Sequence, residues 1–142
     1  MRHMTADDLP WAYQLCRRRY PTRFDADTTA AWFKNLVLSN PLQFLAIRSD
    51  HAFVIAHLEA MPWTARELEV SVMFTCCEEV RSGVWEALNL LRQSMVWGRD
   101  RNAVRWHLWS DTSFELGPLA ERIGCEKASS RYIKELKSCP EG

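Results

Sequence analysis

The sequence predicts an α/β (α+β) fold: a central mixed, mostly antiparallel sheet of about six or seven strands flanked by about four helices, in the order β-α-α-β-β-β-α-β-α-β. Three observations carry this expectation. Apolar residues recur at helical spacing in two early segments and in one long later segment. Between them lie three successive stretches that alternate with period two. A further alternating stretch follows the long helix at once, and that strand–helix–strand passage should be a right-handed crossover joining parallel strands.

Met1 to Met4 suits a short edge strand. Asp7 and Asp8 offer an N-cap and Pro10 fits a first helical turn, with Ala12, Leu15, Cys16 and Tyr20 carrying a helix to Pro21. A second helix starts near Asp27 or Thr28, places Trp32, Phe33, Leu36 and Val37 at helical spacing, and ends at Asn40-Pro41. Leu42 to Arg48 and His51 to Glu59 form a hairpin about Ser49-Asp50. After the break at Met61-Pro62-Trp63, Leu68, Val70, Val72 and Phe74 alternate with Glu67, Glu69, Ser71 and Met73 as an apolar and a more polar strand face. Cys77 to Gly83 is a loop, and Val84, Leu88, Leu91 and Met95 mark a helix from Val84 to about Arg99. Asn102 to Ser110 is a strand with Val104, Trp106 and Leu108 on one face and Arg105, His107 and Trp109 on the other. Leu119 to Ile123 is a short helix capped by Gly124, and Cys125 to Leu136 supplies one or two weaker strands.

No linker, repeat or biased segment interrupts the 142 residues, so one domain over 1–142 is expected. Eighteen basic residues balance eighteen acidic ones, which leaves no long-range field to draw in nucleic acid or an anionic membrane. The run Arg17-Arg18-Arg19 is the solvated end of a helix. Five cysteines without a C-x-x-C pair suit reduced thiols and a cytoplasmic setting, and Cys76-Cys77 suits buried vicinal thiols. His3, His51, His57 and His107 show no ligand spacing, so no metal is expected. Seven tryptophans raise the prospect of a partner surface, since Trp is enriched at interfaces.

The element order, together with three local segments, resembles the GNAT family of N-acetyltransferases across essentially the whole chain. The segments are Arg2 to Pro10; Leu68 to Phe74 with the turn Arg81-Ser82-Gly83 and the helix from Val84; and Ser110-Asp111-Thr112-Ser113 with the helix to Ile123-Gly124-Cys125. The resemblance implies acetyl-CoA as cosubstrate, held by Phe74, Cys76, Arg81, Ser82, Gly83 and Val84, and a small-molecule or protein amine as acceptor. In the family a turn of the form Arg/Gln-x-x-Gly-x-Gly/Ala lets backbone N–H groups approach the pyrophosphate. Here that turn has one glycine, Gly83; its spacing from Arg81 is one residue short, and Trp85 stands where the second small residue would fall. A family tyrosine that protonates the leaving thiolate corresponds to Ala120.

A carboxylate on the strand ahead of the turn can take a proton from an amine, directly or through water. Glu69 is the central candidate, beside Glu67, and His107 on the neighbouring strand can share the cleft. The expected function is therefore transfer of an acetyl group to an amine. The alternative is a catalytically degenerate GNAT-fold protein that binds a partner through its tryptophan-rich surface. A looser resemblance to short phage-encoded GNAT-like proteins, through Asp111-Thr112-Ser113 and Ile123-Gly124, makes a virion or assembly component the form of that alternative.

Overall fold

The computed structural model describes residues 1–19, 25–60, 67–108, 117–127 and 134. Strand β1 (Arg2–His3) leads into a 3-10 turn (Ala6–Asp8) and helix α1 (Leu9–Arg19). The cap differs from the expected one: Thr5 is the N-cap, and Asp8, three residues on, accepts from the Thr5 backbone N–H at 2.8 Å. The same carboxylate is also held by Arg2 at 2.6 Å and by Arg48 at 2.9 Å. Helix α2 (Ala26–Trp32) begins at Asp25, whose side chain accepts from the Thr28 N–H at 2.9 Å, and runs on as a π-helical segment (Phe33–Val37).

Strands β2 (Phe44–Arg48), β3 (Ala52–Ala60) and β4 (Leu68–Cys77) follow as an antiparallel meander. After helix α3 (Arg81–Arg99), strand β5 (Ala103–Leu108) joins the sheet parallel to β4, and helix α4 (Gly117–Arg122) follows. Among the described residues the sheet holds five strands in the order β1-β2-β3-β4-β5, fewer than the six or seven expected. The strand expected over Cys125 to Leu136 lies mostly outside the described residues, as do Trp63, Trp109 and the Asp111-Thr112-Ser113 segment.

A β-bulge decides which face each residue of β4 serves. Phe74 stands opposite Ile55 and Val72 opposite Ala56, so Met73 has no partner and is 43% exposed. Ahead of the bulge, Val70 and Val72 pack toward α3, with Leu45, Ile47, Val54, Leu90 and Leu91. Beyond it Phe74 and Cys76 turn to the other face, toward α1 and α2, with Phe33, Phe44, Phe53 and Ile55. The expected common face for Leu68, Val70, Val72 and Phe74 is therefore corrected: the bulge shifts the phase by one residue. Fully burying a side chain such as Phe53 or Leu91 contributes about 1.5–3 kcal/mol, so both faces of the sheet carry real stability.

Helix α3 starts three residues earlier than expected, at Arg81, with Val80 as N-cap and no side-chain cap. Its inner face is Gly83, Ala87, Leu88, Leu90, Leu91, Ser94 and Gly98, and Val84 is 41% exposed rather than part of the buried stripe. Val104 also leaves its expected face, because the β4–β5 register shifts between Leu68 and Glu69. It is exposed, whereas Trp106 packs toward α3 and donates its ring N–H to Ser94 Oγ at 2.8 Å. Gly124 adopts φ 83°, and the Cys125 N–H reaches back to the Ala120 carbonyl at 3.0 Å, so the expected cap of the short helix is present.

Candidate functional site

Two groups of residues stand at opposite ends of β4. Eight residue steps at about 3.3 Å each separate Glu69 from Cys77, so the two ends lie about 26 Å apart.

At the first end, the parallel register sets Glu69 beside Arg105 and Ser71 beside His107. Val70 and Trp106 face α3, so the alternation sends Glu69, Arg105 and His107 to the opposite face. Glu69 is 3% exposed, and both of its oxygens are occupied. Arg105 Nε donates to Oε1, and His107 Nε2 lies 2.8 Å from Oε2. Arg105 also reaches Glu67 at 2.7 Å. The Arg105 guanidinium holds the Glu69 carboxyl below the ordinary glutamate range, against the opposing effect of burial, and His107 adds to the lowering. Arg105 is in turn held protonated by Glu69.

At the second end, Arg81, Ser82, Gly83 and Val84 form the first turn of α3. The N–H groups of Arg81 and Ser82 have no partner inside the helix, as at any helix start. The Gly83 N–H is given to the Val80 carbonyl at 3.0 Å, and a Cβ on Gly83 would meet the Glu78 carbonyl oxygen at 2.5 Å. Glycine is therefore fixed here by backbone packing of the turn. Trp85 lies outward, 48% exposed, with the Arg122 guanidinium 5.3 Å from its ring centroid.

The turn is bordered by a second histidine–carboxylate pair. His51 Nδ1 lies 2.7 Å from Glu86 Oε2, its backbone N–H donates to Glu86 Oε1 at 3.1 Å, and its Nε2 lies 3.8 Å from Glu78. Glu86 is the main cause of a raised His51 pKa, opposed by burial and helped by Glu78 and Asp50. Burial pushes the Glu86 carboxyl up, but the bonds from His51 outweigh it and hold the group below its usual range.

The structure thus brings Glu69 and His107 into direct contact and gathers Arg81 to Val84 into one helical turn. It does not bring Phe74 or Cys76 to that turn by their side chains. Phe74 packs edge-on against Trp32 with ring centroids 5.7 Å apart, and Cys76 is buried with its Sγ 3.6 Å from that of Cys16. Arg105 and the pair His51–Glu86 were not among the sequence candidates. Arg105 shared a predicted face with His107, which was a usable signal once a parallel register was assumed. Nothing local linked His51 to a residue 35 positions on. Four of the five described tryptophans, Trp11, Trp32, Trp97 and Trp106, pack against the core, so among the described tryptophans Trp85 alone is strongly exposed. Among the described residues no three His, Cys, Asp or Glu side chains gather to hold a metal, and no helix is long and apolar enough to cross a membrane.

No family model matches the sequence, and no curated protein matches it. Solved structures do match. Glucosamine-6-phosphate N-acetyltransferase from Arabidopsis thaliana is 11% identical with TM-score 0.76, over 96% of this chain and 97% of that one. Ribosomal-protein-alanine N-acetyltransferase from Brucella melitensis biovar Abortus 2308 is 20% identical with TM-score 0.68, over 94% and 96%. A predicted acetyltransferase from Clostridium acetobutylicum, solved with acetyl-CoA, is 14% identical with TM-score 0.72, over 95% and 94%. The chain has the GNAT fold, and the three structures just named are acetyltransferases by name.

Proposed function

We propose that this protein is an acyl-CoA-dependent N-acyltransferase that moves an acetyl group to a primary amine, with Glu69 and His107 as its acid–base pair. The observation that carries this reading is the contact of the buried Glu69 with the partly exposed His107 at one end of β4, with the start of α3 at the other. A long, extended cosubstrate suits two groups so far apart along one strand. Its pyrophosphate would lie at the N–H groups of Arg81 and Ser82, and its thioester toward Ser71 and His107. Positioning the two reactants supplies most of the rate in such a reaction, and a proton acceptor adds about 10²–10⁴-fold.

The test is a calorimetric titration with acetyl-CoA, with Ser82→Glu as control. A carboxylate in the first turn suits the helix dipole, so the variant keeps its fold while repelling a pyrophosphate. One-to-one binding in the parent, lost in the variant, supports the reading.

A second reading, a non-catalytic protein that binds a macromolecular partner, draws on two observations. The Gly83 N–H is already used, and Glu78, Glu79 and Glu86 surround the turn with negative charge. No heat and no rise in melting temperature at millimolar acetyl-CoA would favour this reading over the first.

A further inference from the structure

We propose that His107 is the catalytic base, accepting the amine proton at Nδ1, and that Glu69 and Arg105 are positioning residues that hold its ring in that state. This rests on the acyltransferase reading above and divides the roles within its acid–base pair.

The argument starts from what each atom can still do. Glu69 has both oxygens engaged, Oε1 by Arg105 and Oε2 by His107, and is 3% exposed. At 3% exposure the carboxylate leaves an amine little room to approach either oxygen beside those donors. A carboxylate held ionised by an arginine is also a weak proton acceptor, and the lowered pKa of Glu69 agrees with that. An ionised carboxylate can only accept hydrogen bonds. The proton in the Glu69–His107 contact therefore sits on His107 Nε2. In a neutral imidazole the other nitrogen, Nδ1, then carries a bare lone pair. His107 is 36% exposed, and Nδ1 makes no hydrogen bond among the described residues. The charged group in contact with this ring is Glu69, which is bonded in turn to Arg105, and Arg105 to Glu67.

The step balances with one histidine. The amine nitrogen attacks the thioester carbonyl, a C–N bond forms, and the amine proton passes to Nδ1. The C–S bond then breaks, and the imidazolium returns that proton to the departing thiolate. Glu69 stabilises the imidazolium without taking a proton itself. A returning proton also answers the lack of a tyrosine, since the corresponding position is Ala120.

The experiment combines two measurements. Thiol release from acetyl-CoA is followed from pH 5 to 9 with a panel of a short alkylamine, an arylethylamine, an amino sugar and a dipeptide. It is run for the parent, His107→Gln and Glu69→Gln. Ring ¹⁵N NMR of the parent and Glu69→Gln reads the His107 tautomer without any substrate. The expected results are an Nε2–H tautomer in the parent that is lost in Glu69→Gln, and a fall in kcat of about 10²–10⁴-fold for His107→Gln with the acid limb of the pH profile removed. KM for acetyl-CoA should stay within about twofold, as a base lost from the chemical step leaves binding of the cosubstrate alone. Glu69→Gln should lower kcat while keeping an acid limb, as the ring loses the group that orients it. Three results overturn the inference alone: an Nδ1–H tautomer in the parent, His107→Gln turning over within threefold of the parent, or an acid limb surviving in His107→Gln and absent in Glu69→Gln. An Nε2–H tautomer with no turnover of any amine overturns the acyltransferase reading instead, and the catalytic role with it.

Discussion

Asp8 shows how much one short side chain can carry. It caps the chain start through Thr5 N–H and pairs with both Arg2 and Arg48, and Arg48 in turn lies 3.6 Å over the Trp11 ring. Asp8→Ala should cost about 2–4 kcal/mol, because it removes a cap and strands the mostly buried Arg48 guanidinium. The urea midpoint of the variant measures this, and a change below about 0.5 kcal/mol would refute it. Gly83 makes a second case. A Cβ there meets a backbone carbonyl, which cannot rotate away, so Gly83→Ala should destabilise by about 1–3 kcal/mol. Ser82→Ala, at an exposed neighbour, should change stability by less than about 0.5 kcal/mol. Parallel urea melts of the two variants check the pair, and equal midpoints would show that the close approach is not real. At this scale the sequence marked Glu69 and His107 as polar residues on strand faces. It did not mark their contact, because that depends on a strand register between residues 38 positions apart.

At the scale of elements, the sequence placed most strands and helices within a few residues, since period two and period 3.6 are visible wherever one face is buried. Two boundaries were hidden for identifiable reasons. Helix α3 begins at Arg81 with Val80 as its N-cap, which has no capping side chain, so no Ser, Thr, Asp or Asn announces its start. The bulge in β4 was invisible because Phe74 follows Val72 at the same spacing as Val72 follows Val70, so the apolar period runs through it unbroken. The bulge nonetheless sets the faces of all the residues after it. Deleting Met73 should turn Phe74 and Cys76 toward α3 and abolish cooperative folding at 25 °C, since a one-residue slip exchanges the two faces. Met73→Thr leaves the backbone count unchanged at an exposed position and should shift stability by less than about 1 kcal/mol. Circular dichroism melts of both variants test this; a deletion variant that melts cooperatively near the parent would show that β4 tolerates either phase.

The whole molecule was legible as an order of elements, and that order sufficed for the fold. Its response to pH was not, because the ion pairs that set it span distant segments. Asp8, Glu69 and Glu86 are all held below their ordinary values by cationic or N–H partners. A depressed carboxyl contributes stability that is fully present above its unfolded value, near 4, and is lost as pH falls through the folded one. His51 has the opposite sign. Its pKa is raised, chiefly by Glu86, so its contribution is complete below the unfolded value near 6.5 and is lost as pH rises through the folded value. Burial raises the Cys125 thiol, which costs stability only above its unfolded value near 8.5. Stability should therefore be greatest between about pH 5 and 6.5, and the fall from pH 6 to 8 belongs to His51. His51→Gln keeps a donor for Glu86 but has no charge to lose. Melting temperatures of the parent should decline across pH 6 to 8, and those of the variant should stay level over the same interval. A level profile in the parent, or an equal decline in both proteins, would show that the His51–Glu86 pair does not couple protonation to folding.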